Sequence, residues 1–157
     1  MGSQAEFMQR AIELSALAVQ SGSGGPFGAV IVRDDSVIAT GHNQVIATAD
    51  PTAHAEVQAI RAAASALSDH RLSGCVLYAS CEPCPMCLGA IYWARIERVY
   101  YANTRIEAAA AGFDDAFFYD DMARPPGERH LILERLPLAS ARQPMMAWQS
   151  KSDRTPY

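Results

Sequence analysis

His54 and Glu56 stand two positions apart. Further on, Pro83-Cys84-Pro85-Met86-Cys87 supplies two thiols in C-x-x-C spacing. Zinc takes imidazole nitrogen and thiolate sulfur in a tetrahedron, and a catalytic zinc keeps its fourth position for water. His54, Cys84 and Cys87 therefore read as three ligands of one Zn2+ site. Bound zinc brings the pKa of its water down to about 7. Glu56 is then the carboxylate that takes the released proton and delivers it to a substrate nitrogen. The chemistry open to these four residues is hydrolysis by a zinc-activated hydroxide.

That chemistry dictates what the backbone must do. Cys84 and Cys87, at i and i+3, are neighbours on one helical face. A helix beginning near Pro85 would put both sulfurs at its positive end, which favours the thiolate. His54 and Glu56 would point about 200° apart within a regular helix. They converge only if the site lies off a helix N-terminus and His54 occupies its first positions. Asp50-Pro51-Thr52, with Thr52 as the expected N-cap, supplies such a start.

A structural metal is the rival reading, because Cys81 stands three residues before Cys84 and could close a Cys3His site. Pro83 and Pro85 make residues 81–87 a poor zinc knuckle, however, and Glu56 would then have no task. A chain of 157 residues that is 50% hydrophobic also has the means for a core without a metal staple. A thioredoxin-like thiol pair would leave His54 and Glu56 as coincidences.

The bulk composition narrows the partners. The length fits one domain. The longest apolar runs are interrupted well before the twenty residues a membrane span needs. Residues 1–10 lack the charged start and apolar block of a secretory signal, so a cytoplasmic protein is expected. The net charge is −4 and the 13 Lys and Arg are scattered. Polyanion binding draws on clustered basic residues, so a small neutral substrate is favoured and nucleic acid is not.

Phe7, Ala11, Leu14 and Ala18 recur at helical spacing, and residues 4–19 read as an amphipathic helix. Residues 27–33 and 37–40, joined by a turn at 34–36, read as a hairpin covered on both faces. A helix over 54–67, a buried strand over 75–79, a second helix to Ala94 and a strand over 98–102 follow. This alternation indicates βαβ pairing sandwiched by helices. Residues 120–128 read as a loop, 131–138 as weakly strand-like and about 140–150 as a last helix. The polar tail 151–157 would normally fray. Trp93 and Cys75 are expected in the core, the latter as an inert thiol. His42, His70 and His130 are expected at the surface or beside the site's ligands.

H-x-E…P-C-x-x-C is the signature of zinc nucleobase deaminases. Around it, residues 50–56, 81–94 and 111–115 closely resemble bacterial guanine deaminases of the cytidine-deaminase-like fold. Gly24-Gly25-Pro26-Phe27-Gly28-Ala29 and the terminal Tyr157 also match, so the resemblance covers nearly the whole chain. It is weakest over 69–75, 103–110 and 123–138. The zinc motif belongs to the whole superfamily, while Gly112-Phe113-Asp114-Asp115 and Tyr157 point to guanine.

The resemblance implies an α/β fold, a three-layer α/β/α sandwich with a central mixed sheet, as one domain over 1–157. It implies hydrolysis of guanine to xanthine and ammonia. Asn43 and Asp115 would read the purine edge, Phe27 would form a stacking wall, and Ala55 and Tyr157 would also touch the base. An amide and a carboxylate together suit guanine's mixed donors and acceptors. The resemblance also implies a homodimer in which residues of about 140–157 swap onto the partner and close its site. On the residues alone, the favoured readings are a turn residue for Asn43, a cap for a helix near Ala116 for Asp115, and core for Phe27. A tRNA adenosine deaminase shares the zinc motif and is the second reading. Guanosine, cytosine and aminated triazines are alternative small substrates.

Overall fold

Ser3 accepts the backbone N–H of Glu6, whose carboxylate reaches back to Ser3, and this capping box starts α1 (Gln4–Gln20). Its apolar side buries Phe7, Ala11 and Ala18. The chain then forms β1 (Gly28–Arg33) and β2 (Ser36–His42). Asp34 and Asp35 join them with φ of 50° and 54°. Positive φ at both central residues is what a tight two-residue hairpin requires, and Asp tolerates it. Next come α2 (Val45–Thr48), α3 (Ala55–Leu67), β3 (Val76–Cys81), α4 (Pro85–Trp93), β4 (Arg98–Asn103), α5 (Arg105–Ala110) and α6 (Ala116–Ala123). This computed structural model describes residues 2–157, which divide into two compact units, 2–118 and Tyr119–Tyr157.

In the first unit the sheet order is β2-β1-β3-β4. β1 pairs antiparallel with β2 and β3, while β3 and β4 run parallel. Alternate residues of β1 serve opposite faces. Val30 and Val32 join Phe7 and Ala11 of α1 and Tyr78 of β3. Ala29 and Ile31 join Ala55, Ala59 and Ala63 of α3, Leu77 of β3 and Ile91 of α4. Helices cover both faces, which is why β1 is an unbroken apolar run. The expected three-layer α/β/α sandwich with a mixed sheet is the observed one. Ile31 and Leu77 are fully buried, each contributing about 1.5–3 kcal/mol.

Gly41 fixes how closely α3 approaches the sheet. A Cβ there would collide with the Ala55 carbonyl oxygen and lie 2.6 Å from the Ala59 nitrogen. β2 and the start of α3 thus touch backbone to backbone.

Several expectations need correction. α3 is capped by His54, not Thr52. Thr52 instead donates both its backbone N–H and its hydroxyl to Asp50 Oδ1, at 2.8 and 2.7 Å, shaping the turn before the helix. Residues 120–123 are helical, since α6 continues to Ala123 and stops just short of Pro125, where the residue before a proline leaves the helical region. Residues 131–138 are irregular, and Pro137 would remove a ladder donor from any strand there. Trp93 is 62% exposed at the end of α4, with the Arg95 guanidinium 6.0 Å from its ring centroid. Cys75 is buried, as expected.

The second unit holds the end of α6, a 3-10 turn at Pro126–Glu128, another at Ala139–Ala141 and α7 (Arg142–Ser150). Arg129 donates to the carbonyls of Met122 and Arg124 at 3.1 and 2.9 Å, closing the end of α6. Arg154 Nη1 donates to the Gln149 and Lys151 carbonyls at 2.6 and 3.3 Å. The expected frayed tail therefore turns back on α7 through a basic side chain at the helix C-terminus. Among the described residues, no helix is long and apolar enough to cross a membrane.

Candidate active site

The metal-type residues sit at two helix starts. His54 is the N-cap of α3, with extended φ −71° and ψ 153°, and Glu56 lies in the first turn. Because His54 precedes the helix proper, its ring escapes the 200° divergence from Glu56. Cys84 is the N-cap of α4, again extended at φ −69° and ψ 168°, with Pro85 in the first helical position. Proline is favoured there because its missing N–H would have had no intrahelical partner. Cys87 follows in the first turn, so both sulfurs meet the positive end of the helix.

His54 Nδ1 lies 3.6 Å from Cys84 Sγ and 3.5 Å from Cys87 Sγ. Zinc–sulfur bonds of about 2.3 Å and zinc–nitrogen bonds of about 2.0–2.1 Å, meeting at the tetrahedral angle, put sulfur and nitrogen about 3.6 Å apart. All three donor atoms lie within 4.8 Å of one another, so the residues fit zinc. The electrostatics agree. The Cys84 sulfur against the ring raises the His54 pKa. Cys84 is held down to about 4, first by the Cys87 thiol donating to it. Cys87 is pushed up, first as donor in that contact and then by burial. Metal ligation needs deprotonated thiols, and Cys84 is already held toward the thiolate.

Glu56 is buried, and burial pushes its carboxyl pKa up, the Cys84 charge adding to the effect. A carboxyl moved in that direction is suited to exchanging protons rather than holding a permanent charge.

Cys81 does not join the triad. Its thiol donates to the Thr104 carbonyl at 3.6 Å, and burial raises its pKa to about 11. The closed Cys3His reading is therefore not the arrangement found. Cys81→Ser is expected to purify with the zinc content of the parent, measured by metal analysis. A loss of zinc in step with Cys84→Ser would count against the three-residue site.

Beside the triad opens a cleft of about 590 Å³ within the first unit. Its floor includes His54, Glu56 and Cys84, and its walls include Phe27, Asn43, Glu82, Phe113 and Asp115. Asn43 is buried. Its Oδ1 accepts the Val45 N–H at 3.1 Å, which fixes the amide orientation and leaves Nδ2 as the donor end. The adjacent Gly24 is the residue that makes room, since any Cβ there would collide with Oδ1 and lie 2.8 Å from the amide carbon.

Phe27 is half-buried, packing partly against the core, while its ring meets Phe113 edge-on at 4.9 Å and 84°. Asp115 Oδ1 is buried and makes no hydrogen bond, and desolvation raises its pKa. Asp115 takes the N-cap place of α6 through its backbone, its carbonyl accepting the Phe118 N–H at 3.0 Å, but its Oδ1 caps nothing, while Asp114 Oδ1 accepts the Ala116 N–H at 3.2 Å.

Two other sequence-predicted site residues lie differently. Ala55 is fully buried, its side chain in the core, and it is not among the residues lining the cleft. Tyr157 belongs to the second unit, its ring edge-on to Trp148 at 6.5 Å. Phe113 and Gly24 were visible in the sequence only as members of matched motifs and Glu82 only beside the thiols, and none of the three had a role in the site. Position was the available signal: Glu82 stands between Cys81 and the first metal thiol, and Phe113 two residues before Asp115.

Residues 1–103 match the family described as the cytidine and deoxycytidylate deaminase zinc-binding region. The chain is 49% identical over 151 residues to a guanine deaminase of Bacillus subtilis, covering 96% of this chain and 97% of that protein. It is 44% identical over 118 residues to a tRNA-specific adenosine deaminase of Agrobacterium fabrum, covering 75% and 77% of the two. A crystal structure of guanine deaminase from Bacillus subtilis superposes with a TM-score of 0.96 at 47% identity, covering 99% of each chain. The family match takes in His54, Glu56, Cys84 and Cys87, and the chain belongs to the cytidine and deoxycytidylate deaminase family of zinc-binding proteins.

Proposed function

We propose that this protein hydrolyses guanine to xanthine and ammonia. The observation that carries the choice of base is Asp115, whose Oδ1 is sealed from solvent beside the cleft with no hydrogen bond of its own. A buried acceptor left unpaired is costly, and guanine brings N–H donors at N1, N2 and N9. Asn43 faces the same cleft with its Nδ2 donors uncommitted to Val45, suiting the acceptor O6. Phe27 and Phe113 supply aromatic surface for a flat base. The likeness to guanine deaminase runs the length of both chains; that to the tRNA enzyme covers 75% of this one.

His54, Cys84 and Cys87 would hold a zinc ion, which when bound would lower the pKa of water and make it nucleophilic at neutral pH. Asn43 and Asp115 orient the base so that its C2 faces the metal side. Glu56 takes the two protons of the attacking water in turn, passing the first to a ring nitrogen and the second to the leaving amine. The C2–O bond forms, the C2–N bond breaks and ammonia departs. Phe27 and Phe113 keep bulk water from the face of the ring.

Ammonia release from a panel of guanine, guanosine, cytosine, an aminated triazine and adenosine within a tRNA anticodon arm tests the reading. Guanine is expected to be turned over fastest. Turnover of the tRNA with none of guanine would sink it in favour of the second reading.

The active form we infer is a homodimer in which the C-terminal segment reaches the partner's cleft, with Tyr157 and Ala55 adding contacts to the base. The second unit supports this with solvent-facing apolar side chains, among them Ile132 at 79%, Leu136 at 83% and Met145 at 71% exposure, more than a self-sufficient unit exposes together. Deleting residues 154–157 should reduce guanine turnover at least tenfold with zinc content unchanged, and unaltered turnover would remove the lid role. All four cysteines are free thiols, in keeping with the reducing cytoplasm in which we place the enzyme.

A further inference from the structure

Ser80 is a hydroxyl buried near the end of β3, 2% exposed, and the reaction described above makes no use of it. The antiparallel register of β1 on β3 ends at Ala29 opposite Ala79. One step further the Ser80 side chain takes over from the backbone, its Oγ accepting the Gly28 N–H at 2.9 Å. Gly28 is itself buried and directly follows Phe27. On the opposite flank the Phe27 carbonyl accepts the Asn43 N–H at 3.0 Å, which continues the pairing of β1 with β2. The backbone that presents the Phe27 ring is thus tied to β2 on one side and to Ser80 on the other.

Water has no room to replace the hydroxyl. Gly28 lies against the backbone of α1, where a Cβ would collide with the Ala11 carbonyl oxygen and lie 2.6 Å from the Ser15 nitrogen. A buried N–H stripped of its acceptor carries the full desolvation penalty, and the end of β1 would turn to find another partner. Phe27, the preceding residue, moves with it. Ser80 also stands four residues before Cys84. One hydroxyl therefore joins the strand that leads into the zinc thiols to the residue that flanks the base.

We propose that Ser80 is a positioning residue for substrate stacking: by holding the Gly28 N–H to β3 it sets where the Phe27 ring stands in the cleft wall. This rests on the reading of Phe27 as a stacking surface for the base. Ser80 is not among the residues lining the cleft, so it acts through Phe27. Its loss falls on guanine binding, and zinc retention and proton transfer are spared.

Steady-state guanine kinetics of the zinc-loaded, full-length protein test it through Ser80→Ala, Phe27→Ala and the double variant. Ser80→Ala is expected to raise KM about tenfold, the value of one buried hydrogen bond. Its kcat should stay within about threefold, because ground-state and transition-state binding weaken together, and its zinc content should not change. Phe27→Ala is expected to raise KM at least as much. The double variant should match Phe27→Ala within about twofold, since without the ring Ser80 has nothing to position. Ser80→Cys, close in shape but a weak acceptor, should fall between the parent and Ser80→Ala, and it gives the same reading if the alanine variant does not fold.

A core hydrogen bond with no part in recognition predicts otherwise: Ser80→Ala lowers Tm and leaves KM where it was. That result overturns the proposal, as does a double variant whose KM is the product of the two single effects. Phe27→Ala separates the two readings. If it leaves KM unchanged, the stacking reading of Phe27 fails and takes the proposal with it. If it raises KM while Ser80→Ala and Ser80→Cys do not, only the positioning role fails.

Discussion

Glu56→Gln is expected to lower guanine turnover by a factor of about 10²–10⁴, the usual contribution of one positioned proton-transfer group, while the protein keeps its zinc. The two halves of that expectation have separate causes. The three donor atoms come from His54, Cys84 and Cys87, and none is altered. Glutamine is nearly isosteric with glutamate, so the buried position at the start of α3 stays filled. Burial already pushes Glu56 toward its neutral form, so an uncharged amide costs less there than at a site built for a carboxylate. What disappears is the capacity to take a proton and return it. Metal analysis beside ammonia-release kinetics checks both halves. Zinc lost together with activity would mean that Glu56 holds the site together, and full activity would remove it from the reaction.

Gly41→Ala should be nearly as damaging by a different route. The new methyl meets backbone, not a side chain that can swing aside: the Ala55 carbonyl oxygen, and the Ala59 nitrogen at 2.6 Å. Relief requires α3 to back away from β2. Overpacking of this kind costs about 1–3 kcal/mol, sometimes more, which for a chain of this size lowers Tm by several degrees. α3 also begins at His54 and Glu56. A shift of a few tenths of an ångström at its first turn moves one zinc ligand and the proton carrier relative to Cys84 and Cys87. Weaker zinc retention should therefore accompany the fall in Tm, both measurable on the purified variant. A variant matching the parent in both would show that the helix can yield without disturbing the site.

The parts of this architecture that were legible in the sequence have strong local causes. Ligand chemistry identified His54, Cys84 and Cys87, and the proline at the start of α4 placed both thiols at its positive end. The unbroken apolar run of β1 announced helices on both faces, and Val30 and Ile31 do go to opposite layers. Misreadings occurred where local signals competed. Asp50-Pro51-Thr52 looks like a helix cap, yet Thr52 is consumed by Asp50 and His54 itself takes the cap position. Trp93 sits in an apolar helix, and apolar context alone does not say which side faces the sheet. Residues 131–138 have strand-like composition, but a strand exists only where another backbone completes its ladder.

The cleft walls were the hardest part to read. The likeness to a family suggested Asn43, Phe27 and Asp115. Nothing local marks Asp115 over Asp114 as the one left unpaired, because that distinction depends on which carboxylate takes the Ala116 N–H. Ser80 and Gly24 matter through contacts with residues far along the chain, Gly28 and Asn43, and no spacing rule encodes such pairs.

The strand register has one more consequence. Gly28 lies opposite His42, Ala29 opposite Ala79, and Cys81 opposite Asn103. The segment before β1 and those after β2, β3 and β4 thus all leave the sheet at one edge, and they carry Phe27, Asn43, Cys84 and Asp115 respectively. The far edge holds the Asp34–Asp35 hairpin turn and the connection from α3 into β3, neither of which reaches the cleft. The sheet of the first unit therefore has a working end and a permissive end. Lineages could lengthen or rewrite the permissive end, or graft a partner-binding loop there, without touching the chemistry.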